Sequence, residues 1–264
     1  MRAELPIYQE LPVPASVLED LITLSRSLGD PARDLAILGE GNTSARVDAE
    51  TFFVKASGTT LATAEAASFV QCRFDKALAA VTGPDLSDTE VRAALEACRV
   101  DPAEKRMPSV ETFLHAYLLS LRDINWVGHT HPSAVNAILC SKVSREAVSG
   151  RLFPDEIVCC GPAICYVEYT DPGVVLARTL RTRVEEFIDE HNMPPKVILM
   201  ENHGFIATGK TPRDVEVATS MYVKTARILL GTYALGGPRF MTAENVARIH
   251  TRPDEHYRQR QIGE

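Results

Sequence analysis

Phe113, Leu114, Tyr117, Leu118 and Leu121 recur at helical spacing, and after Arg122-Asp123 alone the chain enters a short extended run, Ile124–Gly128. This abrupt change of period is the local form of a pattern that runs along the whole chain. Strand-like and helix-like segments interleave, which predicts an α/β layered domain. Ser16-Val17-Leu18-Glu19 reads as a capping box that opens an amphipathic helix to about Leu28. Extended segments are expected at Ala36–Leu38, Arg46–Val47, Phe52–Ala56 and Phe69–Phe74, with Gly-Glu-Gly-Asn-Thr (39–43) as a turn between the first two. Helices at Lys76–Val81 and Thr89–Cys98 flank the breaker run Thr82-Gly83-Pro84-Asp85. The apolar helix itself is expected over Val110–Leu121. Pro132 suits the first turn of a helix to Leu139, since it has no amide hydrogen for that turn to leave unbonded. Further helices are expected at Val174–Ile188 and Val215–Leu230, and strands at Val197–Met200 and Phe205–Thr208.

The chain has 264 residues and neither repeats nor low-complexity tracts, so a single domain spanning 1–264 is the expectation. A formal net charge of −7 opposes binding to nucleic acid, and an anionic substrate would need a locally positive site. No stretch approaches the roughly 18 consecutive apolar residues of a membrane span. The N-terminal MRAELPIYQELP lacks the basic and apolar regions of a secretory signal, so a cytoplasmic location is the expectation. Six cysteines form no C-x-x-C pair and read as small buried hydrophobes in a reducing compartment.

Against this background three histidines stand out. In His129-Thr130-His131, an extended backbone points both imidazoles to one face, so both can reach one ion. His203, in Asn202-His203-Gly204, follows another strand candidate. Imidazole suits zinc or another first-row divalent ion, and three ligands leave a coordination position open. The same pattern is also that of ordinary histidines near strand ends, and H-x-H alone does not decide between the two. His115 lies on the apolar helix and reads as a core histidine, hydrogen-bonded to Glu111 one helical turn away.

Five segments in order decide the matter. Gly41-Asn42-Thr43-Ser44, Lys55-Ala56-Ser57-Gly58-Thr59, Pro108-Ser109-Val110-Glu111, His129-Thr130-His131-Pro132 and Asn202-His203-Gly204 resemble the motifs of the class II aldolase/adducin family, over roughly residues 15–235. The resemblance is greatest to rhamnulose-phosphate aldolase domains, and extends to fuculose-phosphate aldolases and ribulose-phosphate 4-epimerases. It implies a central, largely antiparallel sheet flanked by helices, usually assembled as a homotetramer. It implies His129, His131 and His203 as ligands of a divalent metal, zinc first and Mn2+, Co2+ or Fe2+ as alternatives. Glu111 is implied as the catalytic carboxylate, and Asn42, Thr43, Lys55, Ser57, Gly58 and Ser109 as the residues for a phosphorylated sugar.

The reaction implied is reversible cleavage of a ketose 1-phosphate to dihydroxyacetone phosphate and a hydroxyaldehyde. The enolate this leaves is poorly stabilised by water, which is why a cation and a general acid/base are needed. Small polar turns suit phosphate through backbone N–H groups and hydroxyls, and Lys55 adds positive charge. Two departures bear on substrate identity. Val110 stands where the sugar-phosphate aldolases often have a second serine, and Ser141–Ile157 contains no tyrosine where fuculose-phosphate aldolases place a proton donor. The same site would also serve a metal-dependent decarboxylase of a keto or hydroxy acid, or an epimerase, although the epimerases tend to have aspartate at the position of Glu111. A non-catalytic domain like the adducin head lacks the histidines. The charged tail, Thr242–Glu264, reads as a solvated terminus or as cover for a neighbouring site.

Overall fold

A computed structural model describes residues 17–254. The strands are β1 (Asn42–Arg46), β2 (Thr51–Lys55), β3 (Phe69–Arg73), β4 (Trp126–Thr130), β5 (Cys165–Val167), β6 (Val197–Met200) and β7 (Gly204–Gly209). They form one sheet in the order β3-β2-β1-β4-β7-β6-β5. Every neighbouring pair is antiparallel except β5 with β6. The helices are α1 (Val17–Leu28), α2 (Phe74–Thr82), α3 (Asp88–Cys98), α4 (Thr112–Ser120), α5 (Ser133–Leu139), α6 (Ser144–Ala147), α7 (Pro154–Cys160), α8 (Val174–His191), α9 (Pro212–Tyr233) and α10 (Ala243–Thr251).

Both faces of the sheet are covered, and the alternation of side chains along each strand divides the core in two. Phe52, Val54, Val127, Ile198, Met200 and Ile206 pack with α2, α3, α4 and α8. Trp126, Val197, Leu199, Phe205 and Ala207 pack with α1, α5, α7 and α9. The result is the helix–sheet–helix layering expected from the sequence. Because α4 is buried from Thr112 through Leu119, it is apolar around its whole circumference rather than along one stripe. α9 opens on a capping box, Thr211 with Asp214, and carries Pro212 in its first turn.

Several local expectations move. Ala36–Leu38 is not a strand. Leu38 is left-handed (φ 51°), and the Glu40 carboxylate accepts from the Ile37 amide at 3.0 Å, so the segment folds on itself instead of joining a ladder. Asn42 and Thr43, read as turn, are the first residues of β1, paired with His129 and Gly128 of β4. The strand expected at Ile124–Gly128 begins and ends two residues later, which puts His129 inside it. β5, α6 and α7 had no counterpart in the sequence reading. Ser16 of the N-terminal capping box and the tail beyond Asp254 lie outside the described residues. The described part of the tail forms α10, packed beside α7. All the cysteines are free, and all but Cys140 are buried. No described helix is long and apolar enough to cross a membrane.

Candidate metal centre

β4 carries His129 into the middle of the sheet between Asn42 on β1 and Ile206 on β7. The imidazole is fully buried, and Nδ1 lies 3.0 Å from the Phe205 carbonyl oxygen. A carbonyl only accepts, so Nδ1 carries the hydrogen and the Nε2 lone pair faces away from the sheet. His131 follows just beyond the strand, its backbone N–H bonded to the Leu35 carbonyl at 2.8 Å. Its Nε2 is 3.0 Å from that of His129. His203 comes from the β6–β7 connection, where Asn202 is left-handed (φ 51°) and Asn136 donates to the His203 carbonyl at 3.1 Å.

One nitrogen from each of the three imidazoles lies within 4.8 Å of the other two. Two nitrogens on one tetrahedral zinc stand about 3.3 Å apart, given Zn–N bonds of about 2.0–2.1 Å, so the His129–His131 spacing is that of ligands sharing an ion. Burial, and then the neighbouring imidazoles, push both His129 and His131 down to about 4, which keeps them neutral, the form that donates a lone pair. Nδ1 of His203 is buried without a hydrogen-bond partner. The donor set and this unsatisfied nitrogen fit a divalent first-row cation.

Gly204 explains why Asn202-His203-Gly204 ends as it does. A Cβ at that position would stand 2.6 Å from Cδ2 of His131, 2.9 Å from the Thr130 carbonyl oxygen and 3.0 Å from Cε1 of His129. Only a residue without a side chain lets the β6–β7 turn close onto the end of β4. Gly204→Ala is therefore expected to spread the three imidazoles and lower the bound-metal content of dialysed protein while the sheet still forms. Metal content equal to wild type would show that the triad does not depend on this closeness.

Glu111 precedes α4, with φ −88° and ψ 8°, and is 6% exposed. Its Oε2 lies 3.4 Å from Nε2 of His129, and its Oε1 3.2 Å from Nε2 of His203. Burial opposes its ionisation, but the imidazoles of His129 and His203 and the Asn42 amide outweigh that and hold the carboxyl below the usual carboxylate range.

The residues expected at the phosphate divide into three groups. Ser57 and Gly58 are exposed at a left-handed turn (Gly58 φ 80°). Ser109 and Lys55 are buried beneath it, and backbone bonds from Ser57 N to Met107 O (2.8 Å) and from Ser109 N to Lys55 O (3.0 Å) join the two motif loops. Lys55 donates to the Thr59 carbonyl at 2.5 Å, and burial lowers its pKa against the opposing charge of Glu111. Asn42 is spent inside the protein, donating to Oε2 of Glu111 at 2.7 Å and to Oγ of Ser109 at 3.1 Å. Thr43 points to the other face of the sheet, 2.6 Å from Oγ of Ser25 on α1, away from the histidines.

His115 is buried, as expected, but its side chain does not bond Glu111. Its Nδ1 meets Oγ of Ser44 at 2.6 Å and its Nε2 meets Oδ1 of Asn42. Ser44 closes the Gly41-Asn42-Thr43-Ser44 motif without being among the expected site residues, and two-residue alternation along β1 puts it on the same face as Asn42. Asn136, which anchors the His203 carbonyl, carried no sequence signal.

The family model for the class II aldolase and adducin N-terminal domain matches residues 19–230, and the chain belongs to that family. It is 30% identical over 220 residues to the Bacillus subtilis (strain 168) protein named Uncharacterized oxidoreductase YuxG, a match covering 80% of this chain. It spans only 28% of that protein's length. Among solved structures, the N-terminal class II aldolase domain of a conserved protein from Thermoplasma acidophilum superposes with a TM-score of 0.66 at 25% identity, over 86% of this chain and all of that one. The L-fuculose-1-phosphate aldolase of Thermus thermophilus gives 0.58 at 16% identity, over 83% and 98%. YgbL from Klebsiella pneumoniae, whose description leaves aldolase, epimerase and decarboxylase open, gives 0.64 at 20% identity, over 88% and 97%.

Proposed function

We propose that the chain is a divalent-metal-dependent aldolase that reversibly cleaves a ketose 1-phosphate to dihydroxyacetone phosphate and a hydroxyaldehyde. The observation that carries this reading is a buried carboxylate, Glu111, whose Oε2 and Oε1 lie 3.4 Å and 3.2 Å from Nε2 of His129 and His203, set against three converging imidazoles. His129, His131 and His203 would hold the ion, zinc being the best match to an all-imidazole set. A divalent ion held there supplies Lewis acidity, which makes the C–H bond beside a substrate carbonyl more acidic.

In the condensation direction Glu111 takes the proton from the ketone carbon, and in cleavage it delivers one to that carbon. Burial of the carboxylate keeps water from competing for it. Ser57, Gly58 and Ser109 offer hydroxyls and backbone to the phosphate, with the Lys55 ammonium behind them. Asn42 contributes through Glu111, its amide being already engaged, and Thr43 through the packing of β1. Assembly into a homotetramer remains part of this proposal by family resemblance.

The test is a cleavage screen with added divalent metal across ketose 1-phosphates and keto acids, reading triose phosphate and carbon dioxide together. Triose phosphate from at least one ketose 1-phosphate is the expected result. Carbon dioxide without triose phosphate would assign decarboxylation to the same site, and neither product from any substrate would overturn the aldolase reading.

A further inference from the structure

The face of β1 that carries Asn42 and Ser44 meets α4 at His115, and these three side chains form one buried hydrogen-bonded chain ending at Glu111. All four residues are at most 6% exposed. The direction of each bond follows from what the groups can donate. A carboxylate only accepts, so the Asn42 NH2 faces Oε2 of Glu111 and also supplies Oγ of Ser109. Oδ1 of Asn42 then needs a donor, and Nε2 of His115 provides it. Nδ1 of His115 is left as an acceptor, and the hydroxyl of Ser44 donates to it.

We propose that His115 is a positioning residue which, with Ser44, locks the amide of Asn42 so that it holds Oε2 of Glu111 and leaves Oε1 to carry the proton. This rests on the reading of Glu111 as the acid/base. A flipped Asn42 amide would set its oxygen against the carboxylate, and a rotated Glu111 would move Oε1 from its place 3.2 Å from Nε2 of His203. A polar side chain within α4, among Phe113, Leu114, Leu118 and Leu119, has its hydrogen bonds met only through this chain. Burial holds His115 down to about 4, with the Glu111 charge opposing, so the ring stays neutral and keeps one donor and one acceptor.

The experiment has two arms on the full-length protein. In the first, nitrogen-15 NMR at neutral pH reads the His115 tautomer, assigned by its loss in His115→Leu or, if that variant does not fold, in His115→Gln. The hydrogen is expected on Nε2, and a hydrogen on Nδ1 overturns the proposal whatever the protein catalyses. The second arm reads kcat and KM separately, with metal content and melting temperature as controls. His115→Leu and Ser44→Ala are expected to lower kcat about 10- to 100-fold, the usual cost of losing a group that orients a working side chain, with metal content and KM near wild type. His115→Gln, whose amide can still donate toward Asn42, should recover most of that loss. Losses that follow the melting temperature alone, with no recovery by Gln, overturn the positioning role. A wild type that moves no proton on any ketone phosphate refutes the aldolase reading instead, and the Nε2–H tautomer still supports the bond order.

Discussion

Glu111→Gln is expected to reduce turnover about 10²–10⁴-fold, the usual contribution of a positioned general base, while leaving the fold and the bound ion in place. Gln is nearly isosteric, and its Oε1 can accept the same Asn42 hydrogen bond that Oε2 of Glu111 accepts at 2.7 Å. What it cannot do is take up a proton. The carboxyl of Glu111 is held below its usual range by the neighbouring imidazoles and the Asn42 amide despite its burial. A carboxylate is a weak base, so it needs a substrate proton already made acidic. The check is steady-state turnover with metal content measured on the same sample. Turnover within a few-fold of wild type at full metal occupancy would move the base to another group.

Changing His129, His131 or His203 to Ala should remove the ion and with it all turnover. Two imidazoles remain in each variant, too few to retain a first-row cation through dialysis when the native set is three. His129→Ala should be the most damaging to stability too, because it empties a fully buried position and leaves the Phe205 carbonyl without its partner. His115→Leu is the contrasting variant, since His115 points at Asn42 and Ser44 and should leave the metal content unchanged. Mass spectrometry of dialysed protein decides between them. Full metal content in all three triad variants would dismiss the site.

The part of this site legible in the sequence was the part written in local geometry. His129 and His131 share a face because an extended backbone repeats every two residues, and that inference needs no knowledge of the partner strands. Gly204 shows the limit. The motif is visible, but the reason for the glycine is a contact with the His131 ring and the Thr130 backbone, 73 and 74 residues away in sequence.

Asn42 was misread for a similar cause. A small polar residue after Gly41 looks like turn chemistry, and only pairing with His129 of β4 and bonding to His115 show it as a strand residue spent on Glu111. α6 and α7, at four and seven residues, are too short for helical periodicity to register. The alternation of strands and helices predicted layers, whereas strand direction came from family resemblance, because direction is set by tertiary pairing. β5 and its parallel pairing with β6 carry no local signal, whereas β6 itself is the strand expected at Val197–Met200.

The central claim is that Glu111 moves the proton beside the ketone at a three-histidine cation site. It is tested most directly by solvent-deuterium exchange into dihydroxyacetone phosphate alone, followed by proton NMR, with metal-loaded wild type and Glu111→Gln side by side. The wild type should exchange one carbon-bound proton of the ketone without any aldehyde present, and Glu111→Gln, at the same metal content, should not. Exchange at the wild-type rate in Glu111→Gln would contradict the account.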